Sequence, residues 1–466
     1  VNQKQKLINT GIGLLVLLNL IITLFLNEST YDDGDSILHY LQSKNSFRDP
    51  SLFMNHWAKP VFVLLSAPFT QMGFMGMKLF NVLCISLAIF FTWKIAKIRL
   101  LKFPWFVWVM AFFAPHVFLI QSSGMTEPLF AFFVALIAYL YLKEYWITSA
   151  VLISFLPFVR SEGWILGIVF LILLAYEHRW KIMPYLFSGS LLYGILGSIV
   201  HKDFLWMINK NPYQGVSQEY GSGPLFHYVE QIPYMFGWPL TIFLIIGIVA
   251  FLVRWLRRIV KIEAYHFLVL GMGLALLVSH SIFWSQGWFR SNGMHRVLIS
   301  VLPCFLLVAQ EGLDRVMRWP RSLPLKRLIL CVVSAVFVWF PFSKNPAGLE
   351  LPEDIQKSVR LETIELASNW YSKEYKNDPR YFGVGHYYFL ETLDLPLGDV
   401  DRYVDIHWLL QYEFKKGDIL LWDDAIAVNY MQVPLELLMN EKYKVLKEFK
   451  GERDKHKARV IIFEKQ

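Results

Sequence analysis

Gly11–Leu26 reads Gly-Ile-Gly-Leu-Leu-Val-Leu-Leu-Asn-Leu-Ile-Ile-Thr-Leu-Phe-Leu, an uncharged apolar run preceded only by Lys4 and Lys6 among charged residues. As a helix over 7–26 it crosses about 30 Å of hydrocarbon at about 1.5 Å per residue. Asn27-Glu28-Ser29-Thr30 lacks the small-x-small pattern of a signal-peptidase site, so the run is expected to stay as an anchor. Blocks of the same kind recur downstream, and spans are expected near 7–26, 76–93, 104–121, 127–142, 146–159, 163–176, 183–200, 237–253, 264–283, 297–310 and 326–342. Eleven spans make an α-helical polytopic membrane protein. The composition agrees: 55% hydrophobic and only 18% charged residues, against about 25% charged in soluble chains.

The net charge of +8 suggests nucleic acid until its placement is read. Lys94, Lys97, Arg99 and Lys102 form one cluster, Arg254, Arg257, Arg258 and Lys261 a second, and Arg315, Arg318, Arg321, Lys326 and Arg327 a third. Each abuts a span, as topology signals do. With a cytoplasmic N-terminus the inner side holds eighteen Lys/Arg and the outer side of the membrane part nine. That bias favours this orientation, and an odd span count puts the C-terminal part outside. No nucleic-acid partner is implied. Cys84, Cys304 and Cys331 fall inside apolar blocks, where they act as small hydrophobes.

Three outer segments are too polar for simple turns: 27–75, 201–236 with its aromatic-rich Asn211–Tyr220, and 284–296. In the first, Ser36–Tyr40 and Pro60–Leu65 are expected as short interfacial helices. The spans near 146–159 and 163–176 are short and separated by Arg160-Ser161-Glu162, a broken pair suited to reach a polar site. Residues 1–342 therefore read as the membrane domain and 343–466 as an extracytoplasmic α/β domain. In the latter Ile355, Val359, Ile364, Ala367 and Tyr371 recur at helical spacing, Ile419–Trp422 is a short apolar run, and Tyr443–Phe449 and Arg459–Phe463 read as paired strands.

Chemistry concentrates after the first span. Tyr31-Asp32-Asp33-Gly34-Asp35-Ser36 places three carboxylates within four residues. They repel one another unless a proton, a cation or a substrate hydroxyl sits among them. This suggests a catalytic base or a divalent-ion site (Mg or Mn); a solvated turn with an N-cap carboxylate is the competing reading. His56-Trp57-Ala58-Lys59-Pro60 follows, with a lysine at a helix start placed to hold a phosphate oxygen, or to snorkel. Glu127 at a span end needs a partner or caps its helix. Arg160, Arg290 and Arg296 are the other outer-face cations available for an anion, with Glu162 the simplest alternative partner for Arg160. No nucleotide-binding glycine loop, Cys-x-x-Cys pair or His-Glu-x-x-His helix is present.

The order of these motifs resembles the GT-C superfamily of membrane glycosyltransferases, closest to the protein O-mannosyltransferase and aminoarabinose-transferase (ArnT-like) group. Asp35-Ser36 with Tyr40 is similar to the acidic motif of that group's first outer loop, and Lys59-Pro60 to its Lys-Pro pair. Thr126-Glu127-Pro128-Leu129, Val159-Arg160-Ser161-Glu162-Gly163 and His295-Arg296 before Pro303 resemble further family segments. The resemblance covers about 1–342, and the extra Asp-Asp departs from it. It implies transfer of a sugar from a polyprenyl-phosphate donor to a protein, lipid or glycan acceptor at the outer face of a bacterial inner membrane. Asp35 would be the base, with Asp33 the runner-up. Lys59, Arg160, Arg290 and Arg296 would hold the donor phosphate, and Asp32, Tyr40, His56, Glu127, Glu162 and His295 would support the site. An ion-coupled transporter or lipid flippase, with the carboxylates binding the coupling cation, is the alternative, and a scaffold a third.

Overall fold

The first apolar block forms a helix over Gln3–Ile21 that ends in a π-helical turn, Ile22–Leu26. The structure, a computed structural model, describes residues 3–213, 220–375 and 380–466. Residues 214–219, inside the aromatic-rich outer stretch, lie outside the described residues, as does the side chain of Lys4. Among the described residues seven helices are long and apolar enough to cross a membrane: Gln5–Leu26, Phe74–Ile98, Trp180–Val200, Trp238–Leu256, Ala264–Gln286, His295–Arg318 and Leu323–Phe342. Four shorter apolar helices accompany them: Pro60–Thr70, Glu127–Leu142, Trp146–Phe158 and Gly163–Tyr176. Residues 104–121, expected as one span, form two pieces, Phe106–Phe112 and Pro115–Ile120. Pro115 lacks an amide hydrogen and its ring clashes with the preceding turn, so the helix restarts there.

The chain divides into two compact units, Val1–Asn27 with Phe53–Asp354, and Glu28–Leu52 with Ile355–Gln466. The division is therefore not a single cut near residue 342. A piece of the first loop folds with the C-terminal residues.

In the first unit the His295–Arg318 helix is buried over nearly its whole length and packs against Trp238–Leu256. Their backbones meet at two glycines. A side chain on Gly247 would strike the Val308 carbonyl, and one on Gly312 the Phe243 carbonyl. Small residues at such crossings let dispersion contacts between backbones hold helices together where lipid supplies no hydrophobic drive. The helices facing outward expose leucine, isoleucine and valine, for example Leu14, Ile168, Ile245 and Leu328, as a lipid-facing surface does.

The second unit is a five-stranded mixed sheet with strands β1 Phe382–Val384, β2 Tyr403–Asp405, β3 Ile419–Asp423, β4 Tyr443–Arg453 and β5 His456–Lys465, in the order β2-β1-β3-β5-β4. β1 pairs in parallel with β2 and β3, while β3–β5 and β5–β4 are antiparallel. β3 is buried at every position, Asp423 included, and is the central strand that the apolar run Ile419–Trp422 foreshadows. The helix Val359–Glu374 packs on β4 and β5 through its buried face, which includes Ile364, Ala367 and Tyr371. Ile355 falls before it, in a 3-10 turn.

The Asp35–Asn45 helix, longer than the expected Ser36–Tyr40, belongs to this unit. Tyr40 donates to Glu391 at 2.8 Å and Lys44 pairs with the other Glu391 oxygen at 2.7 Å. Ser358 accepts from the Leu361 amide as N-cap of its helix and donates to Asp33 Oδ2 at 2.6 Å. Specific polar contacts thus bind residues 28–52 to helical residues of this unit more than 300 positions away in the chain.

Candidate functional site

In the first unit, four helix starts and one helix end deliver charge to a single place. Pro60–Thr70 begins after Lys59, Glu127–Leu142 begins with Glu127, Gly163–Tyr176 follows Glu162, and the 3-10 turn His295–Val301 carries Arg296. The last turns of Met272–Gln286 bring His280. The turn between the two short helices is tightened by Leu156–Phe158, where Pro157 is accommodated in 3-10 geometry. Gly163 sits against the Leu156–Pro157 backbone so closely that an added methyl would meet Pro157 N at 2.2 Å. Only glycine allows this approach, which sets where Arg160 and Glu162 stand.

Arg160 is the hub. One terminal nitrogen lies 2.8 Å from Glu127 Oε1 and donates to Thr126 Oγ1 at 2.8 Å; the other donates to Glu162 Oε1 at 2.6 Å. Arg296 Nε stands 3.5 Å from the same Glu127 oxygen, and His280 Nε2 3.3 Å from Glu162. Glu127 is 1% exposed, and its ion pairs are close but poorly angled, so neither oxygen is satisfied by a hydrogen bond. Lys59, 4% exposed, donates to Ser161 Oγ at 2.9 Å. Its Nζ also lies 3.5 Å from His56 Nδ1 and 5.5 Å from the Tyr213 ring centroid. His56 Nε2 is 2.9 Å from the Met207 carbonyl, which makes Nε2 the donor and leaves Nδ1 as acceptor.

Lys59 itself adopts φ 72°, a left-handed backbone that costs a non-glycine residue energy and recurs where function holds it. Burial, assisted by the neighbouring Arg160, depresses its pKa to about 8, with Glu162 opposing. Burial and then Lys59 push His56 down to about 4. For Glu162 burial acts upward, yet Arg160 and His280 hold it well below the usual carboxylate range. Three cations, Lys59, Arg160 and Arg296, face two carboxylates, so the cluster carries one positive charge in excess. Such a site has room in its electrostatics for an anion.

The structure therefore brings together Lys59, His56, Glu127, Arg160, Glu162 and Arg296. Arg290 is exposed in the turn after Gly287, outside this buried group. His295 instead stacks edge-on with His116, at 4.7 Å between ring centroids. Sequence reasoning missed His280 and Ser161 as contributors; a histidine inside an otherwise apolar span was the available signal for the first.

The acidic motif is built separately, in the second unit. Asp32 Oδ1 accepts from the Gly34 amide at 2.9 Å and the Ser36 amide at 3.4 Å, an Asx turn that starts the following helix. Asp33 accepts from Thr30 and Ser358. Asp35 is the first helical residue, half-buried, and its carbonyl lies 2.8 Å from His39 Nδ1. Tyr40 is 1% exposed and committed to Glu391. The buried His386 ring feels Asp33 and Asp32, but burial dominates and lowers its pKa to about 4. Among the described residues no group of three or more His, Cys, Asp or Glu side chains is arranged to hold a metal ion. Asp32, Asp33 and Asp35 do not form one.

No protein-family profile matches the sequence, and no curated protein matches it. Among solved structures, the chain is similar to ArnT from Cupriavidus metallidurans bound to undecaprenyl phosphate, with a TM-score of 0.62 over 97% of both chains at 12% identity. It is equally similar to the same protein in the apo state. At that identity the likeness establishes the fold alone, which is like that of ArnT over 97% of the chain.

Proposed function

We propose that the chain is a membrane glycosyltransferase that moves a sugar from a polyprenyl-phosphate carrier to a hydroxyl-bearing acceptor. The observation that carries this reading is the buried Lys59–Arg160–Arg296 cluster with its single unbalanced positive charge, set in a fold whose structural relative binds undecaprenyl phosphate.

The chemistry follows from charge. A polyprenyl-phosphate sugar is a phosphodiester with one negative charge. When the bond between the sugar carbon and the phosphate oxygen breaks, the departing phosphate monoester gains a second. Cations fixed beforehand around it therefore bind the transition state more tightly than the ground state. Lys59 would contribute a compact ammonium and Arg160 and Arg296 planar guanidinium groups, while Glu127 and Glu162 hold the guanidiniums in place and keep the empty site near neutral. The acceptor hydroxyl must lose its proton as its oxygen bonds to the sugar carbon. Asp35 is assigned as the base that takes it. Asp33, whose carboxylate accepts from Ser358 and Thr30, is the runner-up. Asp32 serves the turn that presents Asp35.

The test is Asp35→Asn in the full chain, assayed with a labelled polyprenyl-phosphate sugar and candidate acceptors. Transfer is expected to fall at least about a hundredfold with an unchanged melting profile. Wild-type turnover in that variant rejects the assigned base. Cation-driven uptake by liposomes carrying the protein, without sugar transfer, supports the transporter reading instead.

A further inference from the structure

The basic clusters that mark topology in the sequence also build a cavity. At the end of the first unit remote from Lys59, a cavity of about 360 Å³ is lined by Arg99, Arg254, Lys261 and Arg315 together with Glu263 and Glu311. The separation follows from the helices. Arg296 and Arg315 lie at opposite ends of His295–Arg318, roughly 30 Å apart by helical rise. Likewise His266, which lines the cavity, and His280 lie fourteen residues apart on Ala264–Gln286, about 20 Å by helical rise. The cavity is thus about one hydrocarbon thickness from the cluster described above.

Its cations are of two kinds. Arg99 is fixed, paired with Glu263 at 3.0 Å and stacked over the Tyr265 ring at 4.3 Å. Arg254 and Arg315 enter no direct ion pair among the described residues; Asp314, next to Arg315, is taken by Arg318 at 2.7 Å. Four cationic linings against two acidic ones leave a positive excess, and two guanidiniums are available as a fork for an anion with oxygens in several directions. The remaining wall is apolar, from Ala250, Phe251, Ile259 and Val260. Ile259, 62% exposed, brings this wall to the surface, and the helix Trp238–Leu256, which supplies Ala250 and Phe251, exposes Leu252, Val253, Trp255 and Leu256 elsewhere on its circumference. A positive pocket with an apolar wall that reaches the surface, beside a helix with an exposed apolar face, matches a molecule with a phosphate head and an acyl tail.

We propose that this cavity binds the phosphate of an anionic phospholipid from the adjoining leaflet, with Arg254 and Arg315 on the phosphate oxygens and the acyl chain along the exposed face of Trp238–Leu256. The site is independent of the transfer reaction proposed above.

The experiment uses the delipidated full chain in detergent and reads binding by native mass spectrometry. It is titrated with a short-chain phosphatidylglycerol, with phosphatidylcholine of the same chain length, and with inorganic phosphate. Phosphatidylglycerol is expected to bind saturably and about tenfold tighter than phosphatidylcholine. Arg254→Gln combined with Arg315→Gln is expected to weaken it about tenfold or more, the effect of losing charge-assisted hydrogen bonds. Arg257→Gln with Arg258→Gln, the same charge change in the same cluster but off the cavity wall, should leave it within about twofold. Should the first double variant fail to fold, Arg254→Gln and Arg315→Gln singly report the same loss in part. Equal weakening in both double variants reduces the effect to leaflet electrostatics and overturns the site. Unchanged binding in Arg254→Gln/Arg315→Gln does so too. Inorganic phosphate binding at these arginines as tightly as the lipid overturns the lipid source in favour of a free anion.

Discussion

Arg160→Gln tests the polar cluster most sharply, because Arg160 neutralises two buried carboxylates at once, Glu127 at 2.8 Å and Glu162 at 2.6 Å. At an effective dielectric of about 20, each contact is worth about 6 kcal/mol of Coulomb attraction. Most of that is offset by the desolvation of three side chains that are 16%, 1% and 12% exposed. What remains on removing the arginine is a pair of buried anions, with Arg296 3.5 Å from Glu127 and His280 3.3 Å from Glu162. Losing one partner of a buried pair costs about 3–5 kcal/mol. The variant should therefore melt well below the wild type in detergent, and Glu127→Gln added to Arg160→Gln should restore part of the loss by removing one stranded charge. Arg160→Lys should keep most stability, since charge survives, yet on the proposed reading lose about a hundredfold in kcat with the lipid-phosphate donor, since the planar fork that spans both acids is gone. The two readouts separate structure from chemistry. If Arg160→Gln melts with the wild type and transfers sugar normally, the cluster neither holds the fold nor meets the donor, and the reasoning fails.

Lys59, with a pKa near 8, should lose its charge in the free protein as pH rises through 8, so kcat/KM for the donor is expected to decline above that pH and Lys59→Arg to remove the decline. The stability sign is the reverse: below about 8 the folded state carries a buried ammonium penalty, and that penalty is relieved between about 8 and the unfolded value near 10.5. His386 has its folded pKa lowered from 6.5 to about 4 by burial, so its contribution is present above 6.5 and lost as pH falls toward 4; His386→Phe should flatten the acid limb of a melting-temperature profile of the full chain. A fragment beginning at residue 343 lacks Asp33, Tyr40 and Lys44, which leaves Ser358 and Glu391 without their partners. It should show no cooperative melt, whereas co-expression with a peptide spanning 28–52 should recover one.

Much of this molecule is legible in one dimension. An apolar run of about twenty residues has few options other than a membrane-crossing helix, because an unsatisfied amide in hydrocarbon is too costly. Glu127, Arg160 and Glu162 stood out because charges beside apolar blocks need partners, and the structure supplies those partners. Tyr443–Phe449 and Arg459–Phe463, expected as paired strands, fall within β4 and β5, which pair antiparallel.

Partnerships across long stretches of chain were not readable. Which acid Arg160 meets besides its neighbour Glu162, that Lys59 reaches Ser161, and that His280 backs Glu162 are facts of packing. The assignment of residues 28–52 to the C-terminal unit depends on Glu391 and Ser358, residues with no local signature. Apolar length and the hydrogen-bonding needs of the backbone act locally and so leave a trace in sequence order. Pairing of buried charges acts through space among side chains hundreds of positions apart, and only the folded chain decides it.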